Sequence, residues 1–171
     1  MNPKMRLFVF TLLLMSVLIM SDGCKRRHRP PETASTIFAG DPDYVKFFSD
    51  GFYNIEANAW RWTDKHFSVT LNPPPNSAQR GARLILHLVV PEPVIQNSPF
   101  VELSCSIQGF KLDPQVFAKS GAYTYERDVP AEKLKSREVR IDFAVDHALP
   151  PTKVDQRQLG IIVNKVGLEA K

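Results

Sequence analysis

Both tryptophans of this 171-residue chain stand two positions apart in Trp60-Arg61-Trp62-Thr63, with His66 shortly after. In an extended segment Trp60 and Trp62 share one face and Arg61 takes the other. Such a pair could stack beneath the C–H face of a sugar ring while planar donors hold its hydroxyls. Equally it could anchor a core, and at least one of the two is expected there. Near the C-terminus, Asp155 and Arg157 fall on one side of an extended Asp-Gln-Arg-Gln-Leu-Gly run. They are close enough for a charge-assisted pair, either a structural clamp on the loop leading to the last strand or a joint polar site. The candidate ligand-binding residues are therefore Trp60, Arg61, Trp62, His66 and Arg157, with Asp155 and Arg157 as the clamp.

Catalytic chemistry finds little support. The four histidines, at 28, 66, 87 and 147, show no His-x-x-x-His or Glu-x-x-His spacing, and with Cys24 committed to the N-terminal segment no second cysteine is left to join Cys105 at a metal. A nucleophile elbow, a phosphate-cradling loop and a dinucleotide fingerprint are all missing from the sequence. Glu56 with Asp64, or Asp142 with Asp146, would need a defined separation across a groove to act on a glycoside. Asp41, Asp43 and Asp50 match no established calcium loop. The expectation is a non-enzyme without catalytic residues, metal or cofactor. His87, among apolar neighbours, is expected as a hydrogen-bonded interior or edge residue.

At the N-terminus an apolar-dominated stretch of fourteen residues, Leu7 to Met20, follows Lys4 and Arg6 and precedes Ser21-Asp22-Gly23-Cys24. That is the length of a secretory apolar region and short of the roughly 20 residues of a comfortable span. Gly23-Cys24 suits lipidation of Cys24. Ser21 and Asp22 depart from the lipoprotein pattern, and Lys25-Arg26-Arg27-His28-Arg29 opposes export. A lipoprotein signal, an uncleaved anchor over 7–23 and a cleaved signal peptide thus stay open. Residues 1–24 form the signal or anchor, and 25–36 a basic, then proline-containing linker.

The chain has 22 Lys+Arg and 18 Asp+Glu. Six of the basic residues and one of the acidic lie within 1–29, so the body carries 16 against 17. Nucleic acid is excluded as a partner, because the basic excess belongs to the leader. The partners expected are a membrane through the N-terminus, a glycan, and an envelope protein. The expected location is the cell envelope, membrane-anchored and facing the periplasm or exterior, with the cytoplasmic orientation left open.

The elements that must position these residues show mostly period-two alternation bounded by proline and glycine. Arg83–Val90 places Leu84, Leu86, Leu88 and Val90 on one face. Val101, Leu103, Cys105 and Ile107 alternate with polar residues before a Gln108-Gly109 turn, and Cys105 reads as a small buried hydrophobe. Further strands read at 66–71, 123–129, 138–143 and 160–168. Short helical turns are expected at 42–48, with Asp41 as cap and Pro42 at the first position, and at 130–134. The fold class is all-β, an antiparallel two-sheet β-sandwich of jelly-roll type over 37–171, with a barrel as the alternative.

Gly51-Phe52-Tyr53 with Glu56, Trp60-Arg61-Trp62-Thr63, Ala82-Arg83-Leu84, Val129-Pro130-Ala131 and Asp155-x-Arg157-x-Leu159-Gly160 follow one another across residues 50–169. Their order resembles a bacterial jelly-roll accessory module found beside glycosyltransferases and other surface-polysaccharide proteins. The resemblance implies a carbohydrate-binding-like architecture. It assigns no ligand residues, and here an export or anchor segment stands in place of a catalytic partner domain. The function expected is a membrane-anchored, non-catalytic module for glycans or surface-polysaccharide intermediates. The alternative is a structural or protein-interaction lipoprotein, docking through a sandwich edge or the Pro73-Pro74-Pro75 loop.

Overall fold

The computed structural model describes residues 30–171. The signal or anchor segment 1–24, Cys24 and the basic cluster 25–29 lie outside them. Nine strands form among the described residues: β1 (Thr36–Phe38), β2 (Phe48–Glu56), β3 (Trp60–Leu71), β4 (Ala82–Val90), β5 (Val101–Ile107), β6 (Phe110–Phe117), β7 (Gly121–Val129), β8 (Val139–Val145) and β9 (Ile162–Ala170). Every pairing is antiparallel, and three of them nest: β5 with β6, β4 with β7, β3 with β8. A chain doubled back on itself and then rolled produces that nesting, which is the jelly-roll pattern.

One layer runs β2-β3-β8-β5-β6 and the other β9-β4-β7, with β1 on the free side of β9. β3 joins the layers. Its first residues, Arg61 and Trp62, pair with β9, whereas His66 to Leu71 pair with β8. A strand that changes sheet in this way makes the corner of a sandwich, so the architecture is a sandwich and not a closed barrel.

Alternation decides which side chains enter the core. Leu84, Leu86, Leu88 and Val90 on β4 face Val101, Leu103, Cys105 and Ile107 on β5 and Val139, Ile141, Phe143 and Val145 on β8, all buried in one cluster. Each large aliphatic side chain so placed contributes roughly 1.5–3 kcal/mol through burial. Phe67 and Phe143 stack across β3 and β8 with centroids 5.1 Å apart. Cys105 is buried and free, as its place in the apolar run predicts. His87 differs from expectation: it lies exposed on the outer face of β4, because Leu86 and Leu88 claim the inner one.

The connections follow local chemistry. Gln108 and Gly109 both adopt positive φ, 50° and 75°, the combination a two-residue hairpin turn requires. Asp41 accepts a hydrogen bond from the Asp43 backbone N–H and caps a 3-10 turn over Pro42–Phe47. Ala131–Lys133 forms the second expected turn. Short helices at Ser77–Arg80 and Glu92–Gln96 add to these turns without a strong sequence signal. The linker's last residues are stitched to the body, since Asn72 accepts from the Ala34 N–H through Oδ1 and donates through Nδ2 to the Arg137 carbonyl. No helix among the described residues is long and apolar enough to cross a membrane.

Candidate functional site

The outer face of the five-stranded layer holds a cavity of about 560 Å³, within the size range of small-ligand sites. Its floor is a single cross-strand row, in which Ser68 is covered by Asp50 and the other four members are open to the cavity. Asp50 on β2 stands opposite Ser68 on β3, Ser68 opposite Asp142 on β8, Asp142 opposite Ser106 on β5, and Ser106 opposite Lys111 on β6. Neighbouring strands lie about 4.8 Å apart, so the row presents polar groups at close to sugar-ring spacing. A second row, His66, Ala144 and Ser104, runs beside it. These side chains point outward because their neighbours in sequence, Phe67, Phe143, Cys105 and Leu112, point into the core.

Backbone irregularities shape the trough at both rims. Between the Leu103–Gln115 and Cys105–Leu112 pairs, β6 advances three residues while β5 advances two. The extra residue lies in the Asp113-Pro114 stretch, a bulge with proline on an edge strand, where a missing ladder donor costs least. At the other rim Gly51 has φ +69°, and a Cβ there would sit 2.0 Å from the His66 carbonyl oxygen. Only glycine lets β2 press against β3 and bring Asp50 over the trough.

Charges within the trough are wired together. Arg140 donates to Asp142 Oδ1 from Nε at 2.7 Å and to Asp50 Oδ2 from Nη2 at 2.8 Å. Both bonds, with Asp142 first, raise the guanidinium's pKa. Ser68 is buried and donates to the same Asp50 Oδ2 at 3.4 Å. Asp142 therefore belongs to this network and is not opposed to Asp146, which accepts from the Glu102 N–H and contacts His147. Among the described residues no group of three or more His, Cys, Asp or Glu side chains is arranged to hold a metal.

Of the candidate ligand-binding residues read from sequence, only His66 lines this trough; Asp50 and Asp142, weighed there for calcium and acid/base chemistry, line it as well. Trp60 and Trp62 share the outer face of β3 with it, but six and four residues along, roughly 20 and 13 Å at 3.3 Å per residue. The expectation of a tryptophan in the core is corrected. Both indoles are half-buried on the outer side, and Arg61, only 6% exposed, points in. Arg61 donates from Nε to the Ala39 carbonyl at 3.1 Å and from Nη1 to the Tyr53 carbonyl at 2.9 Å. Its guanidinium lies 4.9 Å from the Phe48 ring centroid, and burial lowers its pKa. Facing the interior, it presents no donor to an outer-face ligand. Trp60 Nε1 is buried without a hydrogen-bond partner.

Asp155 and Arg157 form the clamp geometry. Nε and Nη2 of Arg157 grip both Asp155 oxygens, and Nη1 reaches Glu56 Oε1 at 2.7 Å. These bonds hold the Asp155 carboxyl at about 2 and raise the Arg157 guanidinium, with Asp155 the larger cause. The Arg157 guanidinium lies 5.3 Å from the Tyr53 ring centroid. The Tyr53 hydroxyl donates to the Gln158 carbonyl and accepts from its N–H. The cluster fastens the 146–161 connection to the end of β2. Since Glu56 pairs with Trp60, Arg157 sits by the tryptophan end of β3, apart from His66. Glu56 is thereby committed to Arg157 and makes no pair with Asp64.

No family model matches the chain, and no curated protein matches it. Among solved structures it is similar to the CBM36-1 domain of a multidomain xylanase from the hindgut metagenome of Trinervitermes trinervoides, at 10% identity and TM-score 0.43, covering 80% of this chain and 96% of that one. It is similar to TmCBM27, a carbohydrate-binding module with specific mannan recognition, at 12% identity and TM-score 0.44, covering 81% and 97%. Dimeric latent PorU from Porphyromonas gingivalis matches at 11% identity and TM-score 0.43 over 81% of this chain, which spans only 13% of that protein. At these scores the likenesses assign nothing, and the sandwich rests on its own strand pairing.

Proposed function

We propose that this chain is a non-catalytic binding module of the cell envelope, held at a membrane by its N-terminal segment, that takes a hydroxyl-rich glycan in the trough of the five-stranded layer. The single observation that carries the reading is the Asp50, Ser68, Asp142, Ser106, Lys111 row. It sets acceptors, hydroxyls and a cation side by side along a cavity of about 560 Å³. Polyols are recognised by such planar acceptors and hydroxyls at fixed spacing, and Arg140 holds two of the acceptors rigid before any ligand arrives. The order of motifs resembling surface-polysaccharide modules agrees with this setting.

A glycan array probed with the full chain and with Asp142→Ala tests the reading. Asp142 is half-exposed on a strand with an intact inner face, so the variant keeps its fold. Capture of at least one glycan by the wild-type chain, lost in Asp142→Ala, supports the trough. Equal capture by both moves the site elsewhere, and the half-buried Trp60 and Trp62 become the next candidates.

A further inference from the structure

We infer that the trough favours glycans bearing protonated amino groups and rejects uronates, an inference that rests on the glycan-binding reading above. Four carboxylates line the cavity, Asp50, Glu102, Asp113 and Asp142, against two cations, Lys111 and Arg140. Leaving His66 aside, the lining side chains carry a formal excess of two negative charges, which Arg127, donating to the Asp113 and Pro114 carbonyls at the β6 rim, reduces to one. The residue types alone would not decide the matter, because an arginine is the usual fork for a sugar carboxylate.

The geometry decides it. Two of the three Arg140 nitrogens are already engaged, Nε by Asp142 at 2.7 Å and Nη2 by Asp50 at 2.8 Å, so a sugar carboxylate cannot take the Nε–Nη2 edge and only Nη1 stays open. A uronate reaching for Nη1 would enter beside both carboxylates, which carry one more charge than Arg140 neutralises, and would be repelled by them. Asp50 and Asp142 are in turn neutralised only once between them. On the β5 and β6 side, Glu102 and Asp113 make no ion pair among the described residues. An ammonium on a sugar ring seated over Ser104 and Ser106 lies between these carboxylates and the Arg140 network. There the attraction of one excess negative charge, partly screened by water, is worth on the order of tenfold in affinity.

Isothermal titration calorimetry with the full chain tests this. The probes are a glucosamine tetramer, its N-acetylated counterpart and a galacturonate tetramer, all at one pH low enough to protonate the amines. The expected order is glucosamine tightest, acetylated about tenfold weaker, and galacturonate without measurable heat. The first gap should close between about 0.01 and 1 M ionic strength, as the screening length falls from roughly 30 to 3 Å. Glu102→Gln with Asp113→Asn, both outward-facing and conservative, should close it as well. Galacturonate binding as tightly as glucosamine overturns the charge inference while leaving a glycan trough. A glucosamine preference untouched by the double variant and by salt also overturns it. Silence with all three probes overturns it too, and if the array is silent as well, the glycan reading falls with it.

Discussion

Replacing Arg61 by methionine separates a ligand-binding role from a structural one. The guanidinium makes three contacts to two segments: to the turn after β1 through the Ala39 carbonyl, and to β2 through the Tyr53 carbonyl and the Phe48 ring. A hydrogen bond from a charged donor contributes about 1.5–3 kcal/mol, and the ring contact about 0.5–2 kcal/mol. Against these stands the relief of no longer burying a cation, about 1–4 kcal/mol. The net expectation is a loss of about 2–4 kcal/mol for Arg61→Met. Arg61→Lys keeps the charge but cannot span both carbonyls, and falls between. In urea, with a slope of roughly 1–3 kcal/mol per molar, a loss of about 3 kcal/mol lowers the midpoint by roughly 1–3 M while the slope stays constant. Glycan capture by the fraction still folded should be unchanged. A variant within about 0.5 kcal/mol of wild type that loses all capture would refute the reasoning and return Arg61 to the ligand.

Three further outcomes follow from the same structure. The Asp155 carboxyl, held at about 2 against an ordinary 3.8, is charged more readily folded than unfolded. Its contribution is therefore complete above pH 3.8 and lost as pH falls toward 2, so acid unfolding followed by circular dichroism should be flatter over that window in Asp155→Asn. Gly51→Ala places a Cβ 2.0 Å from the His66 carbonyl oxygen at φ +69°. It should cost about 3 kcal/mol or more in thermal unfolding, and should weaken glycan capture by shifting Asp50 from Arg140. The Cys105 thiol, pushed up by burial, should resist alkylation in the native protein and label only as fast as the chain unfolds.

The strands with one clean apolar face were legible from sequence. In β4, β5 and β8 a period of two admits one register, because a slip by one residue would bury Arg83, Ser104 or Arg140. The cap at Asp41 and the Gln108-Gly109 turn were legible for the same local reason. β2 was not, because its burial does not alternate and its pairing with β3 shifts register three times. The inward turn of Arg61 goes with two carbonyls from separate segments, Ala39 after β1 and Tyr53 on the irregular β2, that a long donor reaches together, and no composition rule foresees it. The Asp155–Arg157 contact could be read because its partners are two residues apart. The trough could not: Asp50, Ser68, Ser106, Lys111 and Asp142 are ordinary outward polar residues one by one. Only the jelly-roll register aligns them: Asp50 and Asp142 drew notice in sequence for the wrong partners, and His66 was the one member named for ligand binding.

The most direct test of the central claim is a backbone amide chemical-shift titration of the full chain with the strongest-binding array glycan. The account predicts shifts confined to the trough, at Asp50 on β2, 66–68 on β3, 140–144 on β8, 102–106 on β5 and 111–113 on β6, with the Trp60 and Trp62 indole signals and residues 155–157 unmoved. Shifts centred on Trp60, Trp62 and Arg157, with the trough silent, would contradict it and place the ligand at the clamp end of β3.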